Sequence, residues 1–157
     1  MKKNKYRWVI ATTLGLLSIA IVFMFVEVSA TNPGADGRIT IVVTDKEREG
    51  VKTEMRGLLE AVQAIIVANN AGDLNTVAVA ARKVGKSSLR PHSPEFADKL
   101  PLSFRKLGMD THLRFDALAL DTEQFESMTH VSQQLGELMG NCVACHAAYR
   151  LTTSESP

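Results

Sequence analysis

From residue 44 onward, apolar positions recur with the period of an α-helix in four separate blocks. The first opens on Thr44-Asp45-Lys46-Glu47, a capping-box pattern. It continues with Val51, Met55, Leu58, Leu59, Val62, Ile65 and Ile66 at helical spacing. Gly50 and Gly57 lie inside it, each costing about 1 kcal/mol relative to alanine. Gly72 stops this helix and Asp73 caps the next, whose stripe is Leu74, Val77, Ala81 and Val84, ending near Gly85. A third helix is expected from Leu102 to Leu120, with Phe104, Leu107, His112, Phe115 and Leu118 turned inward. Asp121 to Gln124 is a weaker capping pattern. After it, Phe125, Met128, Val131, Leu135, Leu138, Met139, Cys142, His146 and Tyr149 share one face of a fourth helix.

The joins are of two kinds. Two are short, whereas Lys86 to Pro101 holds Ser87, Ser88, Pro91, Ser93, Pro94 and Pro101 and reads as a long connection with one helical turn beginning at Pro94. Residues 31–43 contain Asn32, Pro33, Gly34 and Gly37 and read as a linker. Ile39 to Val43 is β-branched, but with no second strand in view the expectation is a packed lead-in and not a sheet. The fold class expected is all-α: an antiparallel up-and-down four-helix bundle over residues 44–157, preceded by an N-terminal signal or anchor helix.

That N-terminal segment, residues 1–30, has the layout of an export signal. Lys2, Lys3, Lys5 and Arg7 precede the uncharged 19-residue run Trp8–Val26, and Val28-Ser29-Ala30 offers a small-residue cleavage site. The run is longer than a usual signal core and close to bilayer length, so a cleaved signal peptide and a retained membrane anchor both stand. Either way the positive-inside rule places everything after Ala30 outside the cytoplasmic membrane, in the periplasm.

Charge narrows the partners. With 18 basic and 17 acidic side chains the net charge is +1, which sets up no field for nucleic acid. The sequence leaves monomer and homodimer both open.

The chemistry is concentrated at the end of the chain. Cys142-Val143-Ala144-Cys145-His146 has the Cys-x-x-Cys-His form of a covalent c-type haem attachment site, and it contains both cysteines of the protein. Each thiol can add across one haem vinyl group, and the histidine can ligate the iron. Residues three and four apart share a helix face, so all three side chains can meet one edge of a flat macrocycle. A thioredoxin-like pair would need a neighbouring βαβ pattern, and a structural zinc site would need a second ligand pair; neither appears in the sequence.

The stretch from Leu135-Gly136-Glu137-Leu138-Met139-Gly140-Asn141-Cys142 through Tyr149-Arg150 resembles the class II c-type cytochromes, which include cytochrome c prime and its low-spin relatives. The likeness rests on Cys-x-x-Cys-His followed by two residues, an aromatic and an arginine; it spans about Thr44 to Leu151 and is weak in sequence outside the last helix. It implies a four-helix bundle with one haem c near one end. It also implies thioethers at Cys142 and Cys145, His146 as proximal ligand, and Arg150 one turn further on in reach of a haem propionate. The sixth position then comes from the first helix, a methionine in low-spin members and a non-ligating apolar residue in gas-binding ones. Met55 matches it, although an alignment through Arg48 would place Lys52 there. The implied role is periplasmic electron transfer with redox partner proteins of a respiratory chain, or binding of NO and CO where the sixth site is open.

His112 is read as a satisfied helix histidine or a distal group, His92 and His130 as surface residues, and Met109, Met128 and Met139 as core packing. A peroxidase would need a distal acid–base pair, and none is evident in the sequence.

Overall fold

A computed structural model describes residues 6, 8, 10–18, 31–89 and 93–153 of the chain. Most of the described chain is helical. A helix α1 covers residues 10–18 with every side chain exposed. It is followed by α2 (Asp45–Asn70), α3 (Leu74–Lys83), a short 3₁₀ turn (Lys86–Ser88), α4 (Pro94–Lys99), α5 (Leu102–Phe125) and α6 (Met128–Ala148). Among the described residues no helix is long and apolar enough to cross a membrane. Lys2, Lys3, Lys5, Arg7, the Val28-Ser29-Ala30 site and, within Trp8–Val26, residues 9 and 19–26 lie outside the described residues, as does His92.

The capping signals act as expected at the first two helices. Thr44 Oγ1 accepts from the Glu47 amide (3.3 Å) while the Glu47 carboxylate accepts from the Thr44 amide (2.7 Å), closing a capping box on α2. Gly72 turns the chain at φ +72°, a conformation glycine adopts without steric cost, and Asp73 then accepts from the Thr76 amide to start α3. Pro94 opens α4 with Ser93 as its cap. The third block differs. α5 runs on through Asp121–Gln124 to Phe125, and the chain reverses at Glu126 (φ 47°), with Ser127 capping α6. Asp121 is committed to Gln134 and lies 3.7 Å from His130, so it serves the α5–α6 contact and no helix start.

α2 packs against α3 and α6, and α5 against the same two helices. Contacts between neighbours run in opposite senses: Asn69 at the end of α2 donates to Met128 O and Ser132 Oγ at the start of α6 (3.2 and 2.9 Å), and Asn141 late in α6 donates to Asp110 early in α5 (2.8 Å). Ile65, Val77, Phe115, Leu118, Val131 and Leu138 are fully buried between them. Ala61, Ala68, Ala78, Ala81 and Ala119 fill the closest approaches, where a larger side chain would force the backbones apart. Leu59, Ile66, Phe125, Met128 and Met139 are exposed, contrary to the expectation that the whole apolar stripes would be inward. The buried faces of α2 and α6 are narrower than their apolar stripes.

The larger correction is a three-stranded sheet, ordered β1 (Thr31–Pro33), β2 (Ile39–Val43), β3 (Tyr149–Thr153). β1 and β2 form a hairpin through a turn with Gly37 at φ +80°, and β2 pairs in parallel with β3, Ile39 opposite Tyr149 and Val43 opposite Thr153. The partner of the β-branched run thus comes from the far end of the chain. Ile41 and Val43 pack with Phe96 and Leu100 of α4 in a second apolar cluster, flanked by Val51, Phe104, Tyr149 and Leu151. The Phe104 and Tyr149 rings meet edge to face at 5.3 Å. α6 ends at Ala148, so Tyr149 leaves the helical face assigned to it and enters the strand.

If the sheet belongs to the folded core, Ile41→Ala should lower stability by about 2–5 kcal/mol, as for other fully buried aliphatic truncations. Leu59→Ala, on the exposed side of α2, should change it by about 0.5 kcal/mol or less. Urea unfolding of the two variants beside the parent measures the contrast, and equal midpoints would remove the sheet from the core.

Candidate functional site

At the end of the helices nearer the sheet the inner faces do not meet. They surround a cavity of about 800 Å³ walled by α2, α4, α5, the 3₁₀ turn and the last two turns of α6. Its surface is mainly aliphatic, aromatic and thioether: Leu58, Val62, Phe96, Leu100, Phe104, Leu107 and Phe115 form much of it. The size and the apolar walls with few polar groups suit a cofactor.

Four of the five residues singled out from the sequence reach this cavity. Cys142, Cys145 and His146 line it from α6 and Met55 lines it from α2. The two thiols are free and half-buried. Burial pushes both thiols above the usual cysteine value, and the neighbouring Cys142 raises Cys145 further. They therefore stay protonated near neutral pH, which restrains casual oxidation. Asn141, next to the motif, ties α6 to α5 through Asp110. That bond, with the Arg114 guanidinium, holds the Asp110 carboxyl below its ordinary range. Below the motif, Arg38 donates to the His146 carbonyl (3.4 Å) while chelating Asp36 (2.7 and 2.9 Å), satisfying an otherwise open carbonyl at the helix end.

Arg150 is not on the cavity wall. Because the helix ends at Ala148, Arg150 lies in β3 and not one helical turn beyond His146. Its Nε donates to Thr40 Oγ1 (2.8 Å), and its guanidinium is 3.7 Å from Asp36. Met109 and Met139 were expected in the core; both are about two-fifths exposed and line the cavity instead.

The structure also pairs His112, read from the sequence as a satisfied helix histidine or a distal group, with Glu54, which the sequence did not single out. His112 is buried (4% exposed), with Nδ1 2.8 Å from the Val84 carbonyl and Nε2 2.9 Å from Glu54 Oε1. Both neighbours are acceptors, so the imidazole satisfies them best with a proton on each nitrogen. Hydrogen bonding to Glu54 raises its affinity for that proton against the opposing effect of burial, and the Val84 carbonyl helps. An acid–base pair therefore sits on the wall where none was visible in the sequence. Glu54 had one signal: it is a carboxylate three residues after Val51 and four before Leu58, on the inner stripe of α2. Lys86 and Arg105 line the same cavity.

Among the described residues no three His, Cys, Asp or Glu side chains converge as a metal-binding group. The donor set on the cavity, two thiols for attachment, an imidazole and a thioether among apolar walls, fits a planar apolar cofactor. Comparison with protein-family models, curated proteins and solved structures gives no match.

The His112–Glu54 bond has a pH signature. The folded-state value of His112 lies above the ordinary imidazole value of about 6.5. The stability this adds is complete below that ordinary value and is lost as pH rises through the folded one. Urea midpoints should accordingly fall as pH climbs from about 6.5, and Glu54→Gln should flatten the slope over that window. Parallel curves for the two proteins would mean that the pair does not carry the proton.

Proposed function

We propose that this chain is a haem c protein that carries single electrons on the outer face of the cytoplasmic membrane, built as an up-and-down four-helix bundle around one covalently held haem. The observation that carries the reading is that Cys142, Cys145, His146 and Met55 line one apolar cavity of about 800 Å³, although Met55 is distant from the other three in sequence. Haem, when bound, supplies one-electron chemistry at its iron. Cys142 and Cys145 would hold it through thioethers from α6, and His146 and Met55 are the residues that would ligate its iron. Leu58, Val62, Phe104 and Phe115 exclude water from the site, which lowers the local dielectric and favours a raised potential. His112, with both ring nitrogens engaged, is held back from the metal. Ligands held on two packed helices would keep nearly the same positions in both oxidation states, so little would reorganise as an electron passes.

The site of action follows from the N-terminus. α1 exposes Ile10, Leu14, Leu16 and Leu17, each more than half accessible, and the basic residues precede it in sequence. This supports export to the periplasm, with the segment as a signal or as a tether to the membrane. Redox proteins of a respiratory chain are the partners of this reading. The near-neutral charge offers nothing to nucleic acid.

The test is the visible spectrum of the ferrous protein made alongside c-type haem maturation machinery, with and without CO. The expected result is a sharp α band that ignores CO in the parent, CO binding after Met55→Ala, and loss of proximal ligation after His146→Ala. Haem should become extractable by acid acetone only when Cys142 and Cys145 are both replaced by serine. A parent spectrum that shifts with CO would give the site to gas binding. A protein without covalent haem would overturn the reading altogether.

A further inference from the structure

Resting on the haem reading, we propose that Lys86 and Arg105 form a carboxylate-binding rim on this cavity and take the two propionates of the macrocycle. Histidines aside, the charged side chains among the described wall residues are Glu54, Lys86 and Arg105. Glu54 is turned to His112. Lys86 and Arg105 are exposed and yet line the cavity, which places them at its mouth and not on its floor. A ligand with an apolar body and two carboxylates must put those carboxylates where cations and water can reach them, because the remaining wall is mainly hydrocarbon.

Both cations are set by the fold. Lys86 opens the 3₁₀ turn, and its amide donates to Asp116 Oδ2 (2.9 Å) on α5. Gly85 before it lies so close that any Cβ would collide with the Asp116 carboxylate, so the turn is pressed onto the helix at that point. Arg105 lies in the first turn of α5, eleven residues before Asp116, which is roughly 16 Å along the axis. Both side chains are long and flexible enough to lean toward each other across the opening. The arginine fork can grip one carboxylate through two parallel bonds, and the lysine ammonium meets the other as a point charge. The thiols lie on α6, so attachment and carboxylate recognition fall on different elements. Arg150, engaged with Thr40 and Asp36, is not part of this rim.

The test uses the full chain carrying Cys142→Ser and Cys145→Ser, which keeps the cavity but removes covalent capture, titrated with haem and with haem dimethyl ester. This protein should bind haem about tenfold tighter than the ester, and Lys86→Gln with Arg105→Gln should abolish that preference while leaving the affinity for the ester unchanged. The ester affinity also reports whether the variant folds. Arg105→Lys should retain part of the preference. Equal binding of haem and ester by the parent cavity would overturn the rim and leave the haem site standing. Failure of haem and ester alike to bind would overturn both.

Discussion

The buried hydrogen-bonded chain from the Val84 carbonyl through His112 to Glu54 marks where close packing stops and the cavity begins. It ties α5 to the end of α3 and to α2 in one step. Toward the Gly72 turn, Ile65, Phe115, Leu118 and Val131 fill the interior. On the other side α2 and α5 do not close on each other, and the cavity is lined by both of them and by the last turns of α6. A polar pair at such a boundary costs little as long as both partners are present, but losing either leaves a buried group unsatisfied at about 1–3 kcal/mol or more. The joining of α2, α5 and the end of α3 at this level therefore includes bonds that apolar packing alone would not provide.

The sheet acts at the other end of the cavity. β3 follows directly from α6, and its parallel pairing with β2 sets the direction in which the chain leaves the Cys142–His146 segment. Ile41 and Val43 bring α4 with them through Phe96 and Leu100, and those two aromatic and aliphatic side chains form part of the cavity wall. Arg38, just before β2 and held by Asp36, donates to the His146 carbonyl. The last turn of α6 is thus held on its carbonyl side by the sheet and on its inner side by the Asn141–Asp110 bond.

These two restraints account for the composition of the site. The thiols and His146 come from one helix with short-range spacing, whereas Met55, Glu54 and His112 come from elements many residues away. In the proposed function the first group holds the cofactor, Met55 supplies the further ligand, and Glu54 and His112 set the surroundings. The free, half-buried thiols and the mainly apolar walls are the features that lend the proposal its chemistry.

Helix periodicity, the Thr44 and Asp73 caps, the Gly72 turn and the Cys-x-x-Cys-His spacing were legible because each is a local effect, settled within a turn or two of backbone. They determined four long helices and the place of the motif on the last of them. What they could not determine depends on partners remote in sequence. Ile39–Val43 became a strand only because Tyr149–Thr153 lies beside it, and the same pairing ended α6 before Tyr149 and drew Arg150 to Thr40. Capping residues at Asp121–Gln124 were overruled because α5 gained more by continuing along α6, where Asp121 meets Gln134. Exposure of Leu59 and Met139 was likewise decided by which neighbour each helix face received, because a stripe of apolar residues specifies a side of the helix but not the width of what covers it.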